Sequence, residues 1–439
     1  MYNYWVPELL SSSDGPGFSS WKNTQNSIIV HGGYLVRTSY LQGNQLHITA
    51  DLNATTTLEV IGVPKAANSL YVNGQEVSYE VDLNGIWSAT VKYQEPQLKL
   101  PDLEKVGWKY IDSLPEIQDN YDDSAWPLAN LTQTANNQNP LKTPTSLYGT
   151  DYGFNTGYLI YRGRFTANGN ESTLMLHTQG GSAFGASIWL NTSSIGAWTG
   201  SPTDADNTGS YTLPQLDTGK PYVLTVIVDQ NGFEENGAVG SDSMKAPRGI
   251  LDYELEGHNA TDIAWKLTGN FGGEDYADRV RGPLNEGGLY AERQGWHQPS
   301  PPCGNWEDRS VTQGVVGAGV GFFTASFALD IPSGYDVPLA FSFANTTVPA
   351  TAYRAQLYVN GYQFGKYINI MGPQIEFPVP EGILNYHGEN WISVTLWSQE
   401  EGGAKLDGIK ITAGTAVMTS YQEVELVDMP AWEQREGAY

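Results

Sequence analysis

One short unit occurs three times along the chain and restricts it to hairpin-rich β-structure. In each copy an apolar run ends in Asn-Gly or Asn-Thr and a second aromatic-rich run follows, at residues 70–75, 188–198 and 357–367. Asn and Gly supply the positive φ angles that a tight hairpin turn requires. Each copy therefore predicts two antiparallel strands that meet at a turn.

The second and third copies share a wider pattern. Each is preceded by a strand-like run, at 158–165 or 322–327, and followed by a closing run, at 222–228 or 391–397. Similar runs occur at 28–30, 46–50 and 58–61, and apolar residues at helical spacing are not sustained. We therefore predict an all-β chain with a small β-domain at residues 1–100 and two jelly-roll β-sandwiches at 101–285 and 286–439.

The charge of the chain excludes two classes of partner. Its 48 acidic residues outnumber its 23 basic ones and give a formal net charge of −25. Such a field repels phosphate backbones and anionic lipid surfaces. No stretch approaches the roughly 18 apolar residues that a membrane span needs. We therefore expect neither nucleic acid nor a membrane as a partner.

The chain offers few ligands for a metal or cofactor. Cys303 is the single cysteine, and none of the six histidines belongs to a His-Glu-x-x-His pattern or a nearby His pair. The glycine-rich run at 317–321 precedes a strand and lacks the Lys-Ser or Lys-Thr of a phosphate-binding loop. The sequence predicts no cofactor, no disulfide framework and no metal site.

Two motifs resemble the openings of the galactose-binding-like jelly rolls attached to β-galactosidases. The first consists of residues 108–110, 112–116 and 121–126, and the second is the run at 288–297. With the runs at 245–251 and 357–361, the resemblance covers nearly all of the chain. The chain is thus similar to the C-terminal half of a fungal, secreted β-galactosidase of glycoside hydrolase family 35.

This resemblance implies an enzyme that hydrolyses terminal non-reducing β-D-galactose residues, in lactose and other galactosides, with retention of configuration. Such chemistry needs two carboxyl groups about 5–5.5 Å apart, and in the family both are glutamates on an N-terminal (β/α)8 barrel. Strands do not alternate with long helices here, so we expect this chain to lack the barrel and its catalytic residues. The resemblance makes that barrel the partner, with the galactoside substrate engaged only indirectly.

Adjacent acidic residues do not supply a substitute dyad. Neighbours on a strand point to opposite faces, whereas a glycosidase needs two convergent carboxylates. The pairs are Asp122/Asp123, Glu234/Glu235, Glu274/Asp275 and Glu400/Glu401. We expect the first pair to form a turn and the last a hairpin loop. No catalytic residue is therefore assigned.

Exposed tryptophans could stack on the apolar face of a sugar. The candidates are Trp189, Trp198, Trp296, Trp306 and Trp432. Because Trp189 lies within an apolar strand, we expect it and most of the others to pack in cores. Sugar binding would instead favour a stand-alone galactose- or galactan-binding, lectin-like module without catalysis. A purely structural interaction protein is the third alternative.

The segment after the closing strand of the first sandwich is longer than a hairpin requires and is rich in Gly, Asn and acidic residues. Long loops on a rigid β-scaffold are often functional. In the resembled family a loop of this domain approaches the aglycone side of the active site. The corresponding residues are Glu235, Asn236, Gly237 and Ala238. Because none of them is aromatic, we expect weak sugar stacking at this substrate-entrance loop.

Six Asn-x-Ser/Thr sequons permit N-glycosylation and agree with an extracellular, secreted protein. They are Asn53, Asn130, Asn170, Asn191, Asn259 and Asn345. Residues 1–7 have the composition of folded polypeptide and lack the features of a signal peptide. We therefore expect a signal peptide to lie outside this chain.

Overall fold

The computed structural model describes residues 27–136, 139–234, 245–270, 285–344, 351–372 and 374–420, and the backbone of two short strands before them. Strands dominate these residues, and their one α-helix is the four-residue α1 (Tyr290–Arg293). Single 3₁₀ turns occur at Pro115–Ile117, Gly149–Tyr152, Ala260–Asp262 and Cys303–Asn305. The prediction of an all-β chain is confirmed. No helix in the described part is long and apolar enough to cross a membrane.

The small N-terminal domain contains two five-stranded sheets, ordered β1-β3-β6-β10-β9 and β2-β4-β5-β7-β8. Alternation along β5 turns Leu46, Ile48 and Ala50 into the core between the sheets. Two pairings are parallel, β2 with β4 and β5 with β7. The strands are β1 (Tyr4–Trp5), β2 (Leu10–Ser11), β3 (Ile29–His31), β4 (Leu35–Gln42), β5 (Gln45–Asp51), β6 (Thr56–Ile61), β7 (Ser69–Val72), β8 (Gln75–Val77), β9 (Glu80–Val81) and β10 (Trp87–Val91).

The first sandwich pairs a five-stranded sheet, β15-β14-β17-β12-β19, with a three-stranded sheet, β16-β13-β18. Side chains such as Leu159, Leu176 and Val226 fill the core between these sheets. The strands are β12 (Gly157–Thr166), β13 (Thr173–Gln179), β14 (Gly185–Leu190), β15 (Ser193–Trp198), β16 (Asp206–Thr212), β17 (Pro221–Gln230), β18 (Gly249–Leu255) and β19 (Ala264–Thr268).

The second sandwich pairs a six-stranded sheet, β20-β11-β21-β27-β24-β25, with a three-stranded sheet, β26-β23-β28. Its core includes Phe323, Phe341 and Leu396. A separate two-stranded pair joins β22 to β29. The strands are β11 (Lys109–Asp112), β20 (Glu307–Asp308), β21 (Gly319–Ala328), β22 (Tyr335–Asp336), β23 (Leu339–Phe343), β24 (Tyr353–Val359), β25 (Tyr362–Ile368), β26 (Glu376–Val379), β27 (Glu389–Ser398), β28 (Ile409–Ala413) and β29 (Val417–Met418).

The large sheets of the two sandwiches share one strand order, but one strand of the second comes from an earlier part of the chain. β15-β14-β17-β12 in the first corresponds to β25-β24-β27-β21 in the second. In the first sandwich β19 pairs with β12. In the second, the corresponding strand is β11, which pairs with β21. β11 lies within residues 101–285, which the sequence assigns to the first sandwich, yet it completes a sheet of the second. The bounds of the three proposed domains otherwise remain a prediction.

The three repeated Asn turns share one hydrogen-bonding device. Asn73, Asn191 and Asn360 all have left-handed backbone conformations, with φ of 50°, 49° and 48°. Each side-chain Oδ1 accepts a hydrogen bond from a backbone N–H of a neighbouring strand, namely Ala50, Val223 or Trp391 respectively. Asn is one of the few residues with a side chain that tolerates this conformation. The repeat therefore fixes each hairpin to the next strand of its sheet.

The Asn turn of the first sandwich offers a test of this device. Asn191→Gly removes the hydrogen bond to Val223 N but permits the positive φ, whereas Asn191→Ala also strains the backbone. We expect Asn191→Ala to have a free energy of unfolding lower than that of Asn191→Gly by about 1 kcal/mol. Urea denaturation of both variants measures this difference. Equal stability of the two would show that the left-handed backbone is not strained.

Candidate functional site between the two sandwiches

The large sheets of the two sandwiches are buried on both faces. Every residue of β14 and β24 is buried, as are the last eight residues of β17. Along β12, Leu159 and Tyr161 enter the core of the first sandwich, while Tyr158 and Ile160 on the opposite face join a second apolar cluster. The sandwiches therefore pack together through the outer faces of their large sheets.

An apolar cluster lies at the centre of this interface. The Tyr158 and Trp397 rings, one from each sandwich, meet edge to face with centroids 5.9 Å apart. Trp397 also donates its indole N–H to Ser187 Oγ at 3.1 Å. Edge-to-face packing and a satisfied indole N–H are the favoured arrangement for buried aromatic rings. The cluster comprises Leu114, Trp126, Tyr158, Ile160, Trp189, Ile227, Leu289, Val320 and Trp397.

A buried ion cluster flanks the aromatic contact. Asp229 of the first sandwich accepts from Arg354 Nη1 at 2.9 Å and from Lys366 Nζ at 2.8 Å, both on the second. Although burial alone would lower it, Asp229 and Glu286 raise the pKa of Lys366. Arg354 also donates to the Thr199 carbonyl oxygen at 3.0 Å, so the second sandwich is bonded directly to the backbone of the first.

Gly185 makes room for this arginine. A Cβ at position 185 would collide with the Arg354 guanidinium. Gly185 opens β14, so a larger side chain there would displace the Arg354 guanidinium from the interface. The glycine therefore allows the close approach of the two sandwiches.

A second buried pair joins the segments that precede each sandwich. Arg293, at the end of α1, donates to the Glu116 carboxylate, and its guanidinium lies 5.5 Å from the Trp126 ring centroid. Burial raises the pKa of Glu116, and Arg293 offsets this only in part. The Glu116 carbonyl oxygen also accepts from Thr225 Oγ1 at 3.2 Å on β17. This pair therefore ties both segments to the first sandwich.

Glu292 is a fully buried acidic residue at the interface. Thr395 Oγ1 donates to its Oε1 at 2.6 Å. Burial raises the pKa of Glu292 despite this bond. A carboxyl group in such surroundings is stabilised in its neutral form. Glu292 thus acts as a structural link from α1 to β27.

The residues that carry the family resemblance are concentrated in this interface. Leu114, Glu116 and Trp126 come from the first motif, and Leu289 and Arg293 come from the second. They supply three of the nine residues of the apolar cluster and one of its flanking ion pairs. The motifs therefore contribute to the contact between the two sandwiches.

The two candidate acidic pairs that lie wholly within the described residues, Asp122/Asp123 and Glu400/Glu401, form no convergent carboxylate dyad. Asp122 accepts from Ser124 N at 2.9 Å, which confirms the expected turn, but buried Asp123 bonds to Arg162, Arg164 and Lys266. Arg164 and Arg162 hold the pKa of Asp123 below its usual value despite burial. Glu400 accepts from Ala352 N at 2.9 Å and lies in a turn between β27 and β28. Because these strands belong to different sheets, the expectation of a hairpin loop here is wrong. Sequence reasoning missed the Asp123 cluster because its cations come from distant strands.

Among the candidate tryptophans, Trp189 is fully buried, but it lies in the interface between the sandwiches and not in a sandwich core as expected. Trp296 and Trp306 are partly buried and pack with ring centroids 5.0 Å apart, beside Phe322. Trp198 is partly buried, and its carbonyl oxygen accepts from Gln399. Trp432 lies outside the described residues.

The predicted substrate-entrance residues Glu235, Asn236, Gly237 and Ala238 also lie outside the described residues, as do Glu274, Asp275 and Asn345. The flanks of the loop are described. Arg248 is buried and donates Nε to the Gly232 carbonyl oxygen at 2.8 Å and Nη1 to that of Ala246 at 3.3 Å. One side chain thus holds both ends of the loop together. The only local signal for this arginine contact in the sequence is the Arg-Gly step before β18.

Within the described ranges, no group of three or more His, Cys, Asp or Glu side chains could hold a metal ion. Cys303 is a partly buried free thiol in a 3₁₀ turn. The buried charged groups are instead paired with one another, which points to a structural role for the interface.

Comparison with known proteins places this interface in a family context. The family model described as "Beta-galactosidase second all-beta domain" matches residues 121–234 and 290–402, and "Beta-galactosidase, domain 3" matches residues 5–88. Beta-galactosidase A of Aspergillus niger is 58% identical over 438 residues, and that of Aspergillus oryzae is 57% identical over 438 residues. Each match covers 100% of this chain and 43% of the relative. The chain thus spans less than half the length of these relatives.

Solved structures resemble the chain only weakly. A calcium-binding mutant of Bacteroides uniformis beta-glucuronidase 2 is 14% identical, with a TM-score of 0.21, over 69% of this chain and 28% of that protein. A likeness of this size carries no argument about function.

The ion cluster between the sandwiches predicts a large effect from one substitution. Asp229→Ala leaves Arg354 and Lys366 buried without their shared carboxylate, which should lower the free energy of unfolding by about 3–5 kcal/mol. Asp217→Ala is the matched control, because its ion pair with Lys220 is 69% and 66% exposed and should matter little. Thermal and urea unfolding measure both. Similar small losses in the two variants would contradict a structural role for Asp229.

Proposed function

The chain belongs to the β-galactosidase family, and we propose that it is the accessory β-domain portion of an enzyme that hydrolyses terminal non-reducing β-D-galactose with retention. In this proposal a catalytic (β/α)8 barrel elsewhere in the same polypeptide supplies the two glutamates. The β-domains support the barrel and shape its substrate entrance. Galactoside is bound mainly by the barrel.

The observation that carries this proposal is the end-to-end match to relatives of which the chain forms only 43%. The relatives named as β-galactosidases therefore contain a larger portion that this chain lacks. The paired sandwiches suit a supporting role, because ion pairs and aromatic packing fix their large sheets against each other. A rigid body of this kind can hold loops at a fixed position beside a neighbouring domain.

An assay of galactoside hydrolysis tests whether catalysis belongs to the barrel and not to this chain. We expect the purified 439-residue chain to leave 4-nitrophenyl β-D-galactoside unhydrolysed, because the acidic pairs in the described ranges do not converge. Co-expression with the remaining portion of a close relative should restore turnover. Release of nitrophenol above buffer by the chain alone, abolished by substitution of one of its own carboxylates, would contradict the proposal.

The substrate-entrance role rests on the loop that Arg248 anchors. One flank follows β17 of the first sandwich, and the other precedes β18 of the same sandwich. One buried guanidinium closes the base of the loop and so fixes where its described flanks leave the sandwich. The absence of an aromatic side chain among these residues agrees with weak stacking on the leaving sugar.

An added aromatic ring tests this placement. In an assembled enzyme, Gly237→Trp should strengthen acceptor-sugar binding and increase transglycosylation, while hydrolysis of a small aryl galactoside changes little. The ratio of galacto-oligosaccharide formation to hydrolysis measures the effect. Gly219→Trp is a control, because Gly219 lies in an exposed turn of the same sandwich. Identical product ratios in the two variants would remove Gly237 from the substrate entrance.

We further propose that the protein is secreted and glycosylated. Asn53, Asn130 and Asn170 are exposed, which favours modification. Asn191 is partly buried, and its side-chain oxygen already accepts from Val223 N, so it should be a poor acceptor.

Site-resolved mass spectrometry of protein secreted from a fungal host tests this assignment. We expect glycans on Asn53, Asn130 and Asn170 and an unmodified Asn191. Full occupancy at Asn191, or no glycan at any of the other three, would contradict it. Retention of the complete polypeptide inside the cell would argue against secretion.

A further inference from the structure

The small domain meets the second sandwich at a junction of backbone and side-chain hydrogen bonds. Leu52 and Met418 exchange two backbone bonds, of 2.9 and 2.8 Å. Thr419 Oγ1 donates to buried Asp51 at 2.8 Å, and Arg37 Nε donates to the same carboxylate at 2.7 Å. The junction therefore has a defined geometry.

Two tyrosines extend this junction. The Tyr93 hydroxyl donates to the Ala416 carbonyl oxygen at 3.0 Å, and the Tyr335 hydroxyl donates to that of Gln94 at 2.5 Å. The bonds cross in both directions, since Tyr93 follows β10 of the small domain and Tyr335 begins β22. Clefts at such rigid domain junctions are frequent ligand sites.

A cleft of about 900 Å³ opens beside the junction. It lies between the β7–β8 hairpin, strand β10, the start of β22 at Tyr335 and the end of β29 at Met418. Its volume is within the range of ligand pockets. The lining residues are Thr57, Val72, Asn73, Gln75, Val77, Ser78, Tyr79, Glu80, Ser88, Thr90, Val91, Lys92, Ser333, Gly334, Tyr335, Met418 and Thr419.

The lining of this cleft has no net charge, although the chain as a whole has a net charge of −25. The cleft contains one acidic and one basic side chain, Glu80 and Lys92, so its lining carries no net charge. Its other polar side chains carry hydroxyl or amide groups, which both donate and accept hydrogen bonds. Asn73, Tyr79, Tyr335 and Thr419 already donate to the protein, so they would meet a ligand mainly as acceptors. Such a surface matches a neutral ligand that itself carries many hydroxyl groups.

Tyr79 adds an aromatic surface to the cleft. Its ring stacks on Trp87 with centroids 3.9 Å apart, and its hydroxyl donates to the Asn68 carbonyl oxygen at 2.9 Å. These contacts hold the ring in one orientation. A fixed aromatic ring beside hydroxyl and amide groups is suited to the apolar face of a sugar.

We propose that this cleft is an oligosaccharide-binding site. It would bind a neutral oligosaccharide through its hydroxyl and amide groups and through Tyr79. An anionic ligand would gain no net charge attraction from the lining, and a wholly apolar ligand would leave many polar groups unpaired. The proposal does not depend on the catalytic role of the complete polypeptide.

Isothermal titration of the 439-residue chain with galactotetraose, xylotetraose and cellotetraose tests the site. We expect weak, saturable binding of at least one, with affinity reduced at least tenfold by Thr90→Trp, which places a ring in the cleft from an exposed position on β10. Thr208→Trp is the matched control, an exposed threonine on β16 of the first sandwich, and should bind normally.

Two variants of Tyr79 test whether the loss of binding in Thr90→Trp is an indirect effect of the inserted ring. Tyr79→Ala should weaken binding, whereas Tyr79→Phe, which keeps the ring, should retain most of it. Thermal unfolding confirms that each variant is folded. No binding of any of the three sugars, or binding unchanged in Thr90→Trp, would overturn the proposal. Hydrolysis of galactosides plays no part in this measurement, so its outcome is independent of the proposed function.

Discussion

The structure depends on the contact between the outer faces of two large β-sheets. A sheet that is buried on one face needs only an alternating pattern, whereas β12, β17, β24 and β27 are buried on both. Asp229 forms ion pairs with Arg354 and Lys366, which lie on two neighbouring strands of the other sandwich. These pairs fix the position of one sheet relative to the other. Loss of this contact would expose two mixed polar and apolar faces to solvent.

The mixture of ionic and apolar groups at this contact has a physical logic. Burial of charges without partners costs several kcal/mol for each charge, so a shifted arrangement of the sheets would be strongly disfavoured. Apolar packing around Trp397 supplies affinity between the sheets, and the ion pairs select one orientation. An accessory portion of an enzyme benefits from such selection, because its loops must stay in place relative to another domain.

Local features of the fold could be predicted from the sequence, and distant pairings could not. The strands and the three Asn turns follow from β-branched runs and from residues that tolerate positive φ, which are local properties. The exchange of β11 into the second sandwich could not be predicted, because the short run Lys109–Asp112 pairs with strands about 200 residues away. The partners of Asp123 and Asp229 likewise depend on how the sandwiches meet. The family motifs at 108–126 and 288–297 marked the right segments, but they did not reveal that these segments form an interface.

Native-state hydrogen exchange, followed by mass spectrometry, tests most directly whether the two sandwiches form one unit. If the interface joins them, amides of β12 and β17 in the first and of β24 and β27 in the second should exchange through one shared, slowest opening. Their exchange should accelerate together as urea is added. Separate openings, with one sandwich exchanging while the other stays protected, would contradict the account.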